Sequence, residues 1–265
     1  MGMGVFERET AATRRGDHWV TRLDAGWNIG DTPNGGYALS PVLRVLGELA
    51  AHPDPLSVTT QFLRPAVGDA DGEVHAEAVR VGRTTGVARG TLVQEGKERL
   101  LVTAVFGDLS TPVSTGTELA PEPVDLPPPD ECVDRRDLAQ GVALPILSRV
   151  DVRLDPAHAE PGAAERAVVA GWIRFADGDE PTALALPLFA DAFPPSLYPL
   201  LGQVGWVPTV ELTVHVRRRP APGWIRARFE CDDLHDGRMI ESGTLWDSTG
   251  AVVARSRQLG LHLTE

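Results

Sequence analysis

A chain that repeats its own pattern at a fixed interval is constrained to fold as two similar units, and this chain carries such a repeat. Arg64-Pro65, at the end of a β-rich run, has a counterpart in Arg219-Pro220. Gly90-Thr91-Leu92 returns as Gly243-Thr244-Leu245, and Phe106-Gly107 returns as Leu259-Gly260. The offsets are 155, 153 and 153 residues, in the same order along both halves. Arg22-Leu23-Asp24 and Arg153-Leu154-Asp155 each close a short strand-like run as well. Any one match is short enough to arise by chance; their shared order and spacing argue for a duplication. Between the copies lies Pro121-Glu122-Pro123-Val124-Asp125-Leu126-Pro127-Pro128-Pro129. So dense a proline run joins neither a sheet ladder nor a helix interior and reads as an extended linker. The expected organisation is an N-terminal domain over 1–111, a proline-rich linker over 112–135 and a C-terminal domain over 136–265.

Each half offers one helix followed by strands. Thr32-Pro33-Asn34-Gly35-Gly36 is a turn signal, with Gly35-Gly36 read as positions that need positive φ. Apolar residues then cover most of the circumference of Tyr37–Ala50, which predicts a buried helix. Pro41 is tolerated only in the first turn and so places the helix start near Ser40. The second half holds a proline-broken helical stretch from Pro187 to Leu201. Val210, Leu212, Val214 and Val216 alternate with polar residues, as do Ile225, Ala227, Phe229 and Cys231. Period-two alternation means strands with one buried and one wet face. Further strands are expected at 57–63, 73–81, 86–94, 99–106, 165–175, 239–247 and 251–263. The pattern predicts an α+β fold, a tandem double hot-dog in which each half wraps an antiparallel sheet around a central helix. The two sheets would pair edge to edge and close one exposed edge on each.

The formal net charge of −12 and the absence of any basic run beyond Arg217-Arg218-Arg219 argue against nucleic acid or an anionic membrane as a partner. Those three arginines read as a solvated charge run on an edge strand, with CoA phosphates as the alternative partner. Cys132 and Cys231 stand at no metal-ligand spacing and form no disulfide framework, which fits a reducing compartment. The N-terminal residues lack the pattern of a signal peptide, and no stretch approaches 18 uninterrupted apolar residues. A cytoplasmic protein without a membrane span is the expectation.

Gly-x-Ser-x-Gly, His-Glu-x-x-His, Cys-x-x-Cys and glycine-rich phosphate loops are absent from the sequence. Chemistry by activated water remains, and it needs a carboxylate, a polar orienting partner and a donor for the developing oxyanion. Comparing the copies narrows the candidates. At the repeat offsets Asp191 faces Gly36, Thr209 faces Asp54 and Gln258 faces Val105. The second half therefore carries three polar groups where the first has none of the same type. Asp191 lies in the apolar run Leu188–Phe193, where a carboxylate is costly unless hydrogen-bonded. Gln258 shares strand parity with Val252 and Ala254, opposite to Arg255 and Arg257. Thr209 follows Pro208 at a strand start, where alternation does not fix its facing.

These residues also carry a family resemblance. Gly35-Gly36 before the helix, Gln61-Phe62-Leu63-Arg64-Pro65, Gly82-Arg83 and Gln94-Glu95-Gly96 resemble the first repeat of the type II acyl-CoA thioesterases, a double hot-dog branch of the 4-hydroxybenzoyl-CoA thioesterase superfamily. Leu186–Asp191, Thr209-Val210-Glu211, the Arg-Pro before Trp224 and Ala254–Gly260 resemble the second. The resemblance implies hydrolysis of an acyl-CoA to a free carboxylic acid and CoA, without metal or other cofactor. Water would be oriented by Asp191, Thr209 and Gln258, and Gly35 and Gly36 would contact substrate. It also implies a place in fatty acid metabolism and a homo-oligomer. The sequence departs from the family at Glu211-Leu212, where Asp and His are common, and at Leu259, where Glu is. A non-catalytic acyl-CoA or lipid-binding double hot-dog protein is the alternative. A hot-dog hydratase would pair an Asp with a His five residues away, and neither Asp31 nor Asp191 has one.

Overall fold

A computed structural model describes residues 3–263 apart from Pro112, Val113, Thr115 and Gln140. The first half contains α1 (Val5–Glu9), β1 (Thr13–Arg15), β2 (His18–Leu23), the short hairpin β3 (Asn28–Ile29) and β4 (Thr32–Pro33), α2 (Gly35–Ala38), α3 (Ser40–Ala50), β5 (Asp54–Phe62), β6 (Ala70–Val81), β7 (Gly86–Gln94) and β8 (Lys97–Gly107). The second contains β9 (Val133–Asp134), β10 (Val150–Leu154), α4 (Pro156–Ala159), β11 (Val168–Phe175), α5 (Leu186–Asp191), α6 (Tyr198–Leu201), β12 (Thr209–Val216), β13 (Ile225–His235), β14 (Arg238–Trp246) and β15 (Val252–Leu261). Among the described residues, thirteen strands form one antiparallel sheet in the order β1-β2-β6-β7-β8-β5-β12-β15-β14-β13-β11-β10-β9. This is the double hot-dog arrangement.

The halves meet where β5 pairs with β12. Thr59 stands opposite Thr213, and their hydroxyls are 3.0 Å apart. Their sequence separation of 154 residues lies within one residue of the repeat offsets of 155 and 153, so near-equivalent positions of the two copies face each other there. That self-pairing marks a pseudo-two-fold axis through the junction. The predicted edge-strand run at Arg217–Arg219 is corrected by this pairing: β12 is an interior strand with β5 on one side and β15 on the other. Arg219 instead forks onto the buried carboxylate of Asp54, with Nε and Nη2 both at 2.8 Å, and Arg218 pairs with Glu118. By the repeat, Arg219 and Asp54 are the counterparts of Arg64 and Thr209.

The first copy's helix is continuous from Ser40 to Ala50, with Pro41 in its first turn, and buries Val42, Leu43, Val45 and Leu46 completely. It packs on β6, β7 and β8. In the second copy Pro187, Pro194, Pro195 and Pro199 cut the corresponding stretch into α5 and α6, as prolines do when they remove helical N–H donors. Helix α1 ties the copies together. Phe6 stacks on Phe175 at 5.1 Å, and Glu9 accepts hydrogen bonds from Trp27 Nε1 at 2.8 Å and Arg149 Nε at 3.0 Å. The proline-rich segment lies along the second copy's sheet. Trp172, Arg226 and Trp246, neighbours across β11, β13 and β14, donate to the carbonyls of Pro127, Val124 and Pro121. That spacing of three residues is the period of polyproline II.

Candidate active site

Short helices α2 and α5 cross at the pseudo-two-fold axis, and this crossing sets the position of Asp191. Asp191 ends α5, and its Oδ2 accepts a hydrogen bond from Gly36 N at 2.9 Å. The two residues are 155 apart, so the positions matched by the repeat offset touch in space. A Cβ on Gly36 would lie 2.6 Å from Leu188 Cα and 2.7 Å from Pro187 O; one on Gly35 would lie 2.8 Å from the Phe62 ring. Neither glycine has positive φ, which corrects the turn reading. They are needed because backbone and ring approach too closely for a side chain.

Asn34 completes the hold on the carboxylate. Its Oδ1 caps α2 by accepting from Tyr37 N at 3.0 Å, while its Nδ2 donates to both Asp191 Oδ2 and Asp191 O at 2.8 Å. Tyr37 fixes the same turn from below, stacking on Trp27 at 4.9 Å and donating its hydroxyl to Glu9 O at 2.9 Å. Burial pushes the Asp191 carboxyl up to about 7; the hydrogen bonds from Gly36 and Asn34 pull it down, and the nearby Glu241 carboxyl adds to the rise.

Thr209 and Gln258 come from adjacent strands. Thr209 opens β12 beside a register irregularity, and Gln258 Nε2 donates to Thr209 Oγ1 at 2.7 Å. Both line one cavity with Asp191, Asn34 and Gly35, of about 270 Å³. Gly36 is not on its wall; it sits behind Asp191. The remaining wall is largely apolar, with Phe62, Phe193, Trp206 and Val207 among its members, and is crossed by Arg64, Arg135 and Glu241. Arg135 is buried, donates to Ala192 O, and has its guanidinium pulled down to about 9 by that burial. None of Arg217, Arg218 and Arg219 reaches this cavity.

Two further cavity residues carry a signal in the sequence. Asn34 precedes Gly-Gly at a helix start, the place for an N-cap. Glu241 falls in phase with Met239 and Leu245, the buried side of β14, where a carboxylate is out of place. Arg135 gave no comparable signal.

A profile for the acyl-CoA thioesterase N-terminal domain matches residues 23–107, and one for the acyl-CoA thioesterase C-terminal domain matches residues 123–262. A Thermobifida fusca protein assigned as a thioesterase II superposes with a TM-score of 0.87 at 31% identity, over 100% of this chain and 99% of that one. A protein with a hot-dog fold from Alicyclobacillus acidocaldarius gives 0.83 at 24% identity, over 100% of both chains. An uncharacterized Mycobacterium tuberculosis protein is 33% identical over 94 residues, a match that spans 36% of this chain and 32% of the relative.

Proposed function

Because this chain belongs to the acyl-CoA thioesterase family and carries both of its domains, we propose that it hydrolyses acyl-CoA thioesters to a free carboxylic acid and CoA at the Asp191 cavity. The observation that supports this most is that one cavity is lined by a carboxyl that burial pushes up to about 7 and by a bonded Thr209–Gln258 pair. A base poised near the working pH combines sufficient ionisation with sufficient proton affinity.

In this reading the Asp191 carboxylate takes a proton from water as the water oxygen bonds to the thioester carbonyl carbon. Thr209 and Gln258 orient that water. The carbonyl electron pair moves to oxygen, where the second Nε2 hydrogen of Gln258 can meet it. Collapse of the tetrahedral intermediate breaks the C–S bond, and the departing thiolate recovers the proton from Asp191. Gly35 borders the substrate, whereas Gly36 acts from behind by holding Asp191. The apolar wall takes the acyl chain. The same reading keeps the proline-rich segment before β9 as the connection between two domains and makes a homo-oligomer the expected assembly. No helix of the described residues is long and apolar enough to cross a membrane.

Thiol release from a panel of acyl-CoAs tests this directly, with native protein beside Asp191→Ala. Equal rates would remove Asp191 from the mechanism, and no release at any chain length would sink the enzyme reading. Tight acyl-CoA binding without turnover would mark a binding protein instead. Thr209→Val is expected to reduce kcat roughly tenfold, the loss of about one hydrogen bond's worth of positioning, ~1.4 kcal/mol. Thr209→Ser keeps the acceptor for Gln258 and should stay within about threefold of native on the same rate scale. Equal losses in both variants would show that the hydroxyl is not what matters.

A further inference from the structure

Glu241 lines the same cavity and has no part in the reaction above. It is 7% exposed. Its Oε2 accepts a hydrogen bond from Ser196 N at 2.8 Å, in the turn that follows α5. On β14 it stands opposite Gln258 of β15 on one side and Cys231 of β13 on the other. Neutral donors from Ser196 alone, its N–H and its hydroxyl, do not compensate an ionised carboxylate in such a place. A buried acid this costly, lining the cavity that holds Asp191 and Gln258, points to a role beyond fastening a turn.

We propose that Glu241 is a positioning residue of the site: with Asp191 it forms an electrostatically coupled carboxyl pair lining one cavity, so that the charge of one raises the proton affinity of the other. Two carboxylates confined to a cavity of about 270 Å³ repel, and such groups lose their protons in two separated steps that belong to the pair. Both lie above the ordinary carboxylate range, with burial as the first cause, and for Asp191 the Glu241 charge adds to it. The other charged groups facing the pair are Arg135 and Arg64 on the cavity wall. Across β13 the titratable neighbour of Glu241 is Cys231, whose thiol burial also pushes up. With Asp191 needed as the base, the charge on Glu241 shifts the pH at which hydrolysis begins. This kinetic consequence rests on the thioesterase reading; the coupling itself does not.

Glu241→Gln preserves shape and offers an amide oxygen to Ser196 N, but cannot ionise. Glu241→Leu removes the charge and the anchor together, which covers the case in which the amide variant fails to fold. The readouts are the pH profile of kcat with an acyl-CoA and the titration of the Asp191 side-chain carboxyl by ¹³C NMR, assigned with Asp191→Asn. In both variants each midpoint should move to lower pH by half a unit or more, a threefold or larger change in acidity. Midpoints that stay in place, or move to higher pH, overturn the proposal and leave Glu241 as a structural anchor. Should native protein hydrolyse no thioester, the functional reading fails while the NMR midpoint still decides the coupling.

Discussion

Asp191→Asn is expected to lower kcat by about 10²–10⁴-fold, the range contributed by a positioned general base, and at the same time to stabilise the protein above neutral pH. The amide oxygen can still accept from Gly36 N and Asn34 Nδ2, so the crossing of α2 and α5 keeps its bonds. The stability effect follows from the direction of the shift. The folded-state carboxyl, at about 7, holds its proton more tightly than the ordinary 3.8 of the unfolded chain. Its stabilising contribution is therefore complete below about 3.8 and is lost as pH rises through about 7. Above that, the native protein carries a buried charge that the Asn variant lacks, a difference on the order of a few kcal/mol. Urea unfolding of both proteins at pH 8 and pH 4 measures this. The variant should be the more stable at pH 8, with the gap closing at pH 4. A gap independent of pH would mean that Asp191 does not carry the charge assigned to it.

Gly36→Ala should cost about 1–3 kcal/mol of stability by overpacking and reduce kcat along with it. The new methyl would meet Leu188 Cα and Pro187 O, both backbone atoms that no rotamer change can move aside. Helices α2 and α5 must then separate, and the bond from Gly36 N to Asp191 lengthens. At Gly35 the nearest neighbour is the Phe62 ring, a side chain with room to turn, so Gly35→Ala should unfold at a higher denaturant concentration than Gly36→Ala. Its Cβ would still stand 3.0 Å from Asp191 Oδ2, on the cavity side, so activity should fall further than stability. Denaturant midpoints beside kcat and KM for the two variants check this. A reversed stability order would mean that the helix crossing is loose.

Strand alternation located β7 at 86–94 to the residue and placed the central strands of both copies, because a half-buried sheet imposes its period of two on the residue types. Pro41 fixed the start of α3 for an equally local reason, the missing N–H that only a first turn tolerates. The short outer strands β1 and β9 bury little and left weaker patterns. Glu241 shows a different limit: its place in the buried phase of β14 is legible, but what it faces depends on the turn at Ser196 and on α5 beyond it.

The proline-broken second helix stands between what was legible and what was not. The prolines alone determine that the stretch from Pro187 to Leu201 breaks, yet not that the resulting short α5 would bring Asp191 against the first copy's Gly36. The duplication is of the same kind. By itself the sequence determined two copies, their strand pattern, the break between them and the set Asp191, Thr209 and Gln258 from which the second copy departs from the first. Only the tertiary structure decided that the copies join through β5 and β12 about an axis that makes equivalent residues touch. It alone supplied Asn34 and Gly36 as the donors to Asp191, and Gln258 as the donor to Thr209 across 49 residues of chain. Periodicity and proline chemistry act within a few residues and are written into local sequence. A hydrogen bond between residues 155 apart depends on how two sheets register, and that register is set by the packing of the whole core.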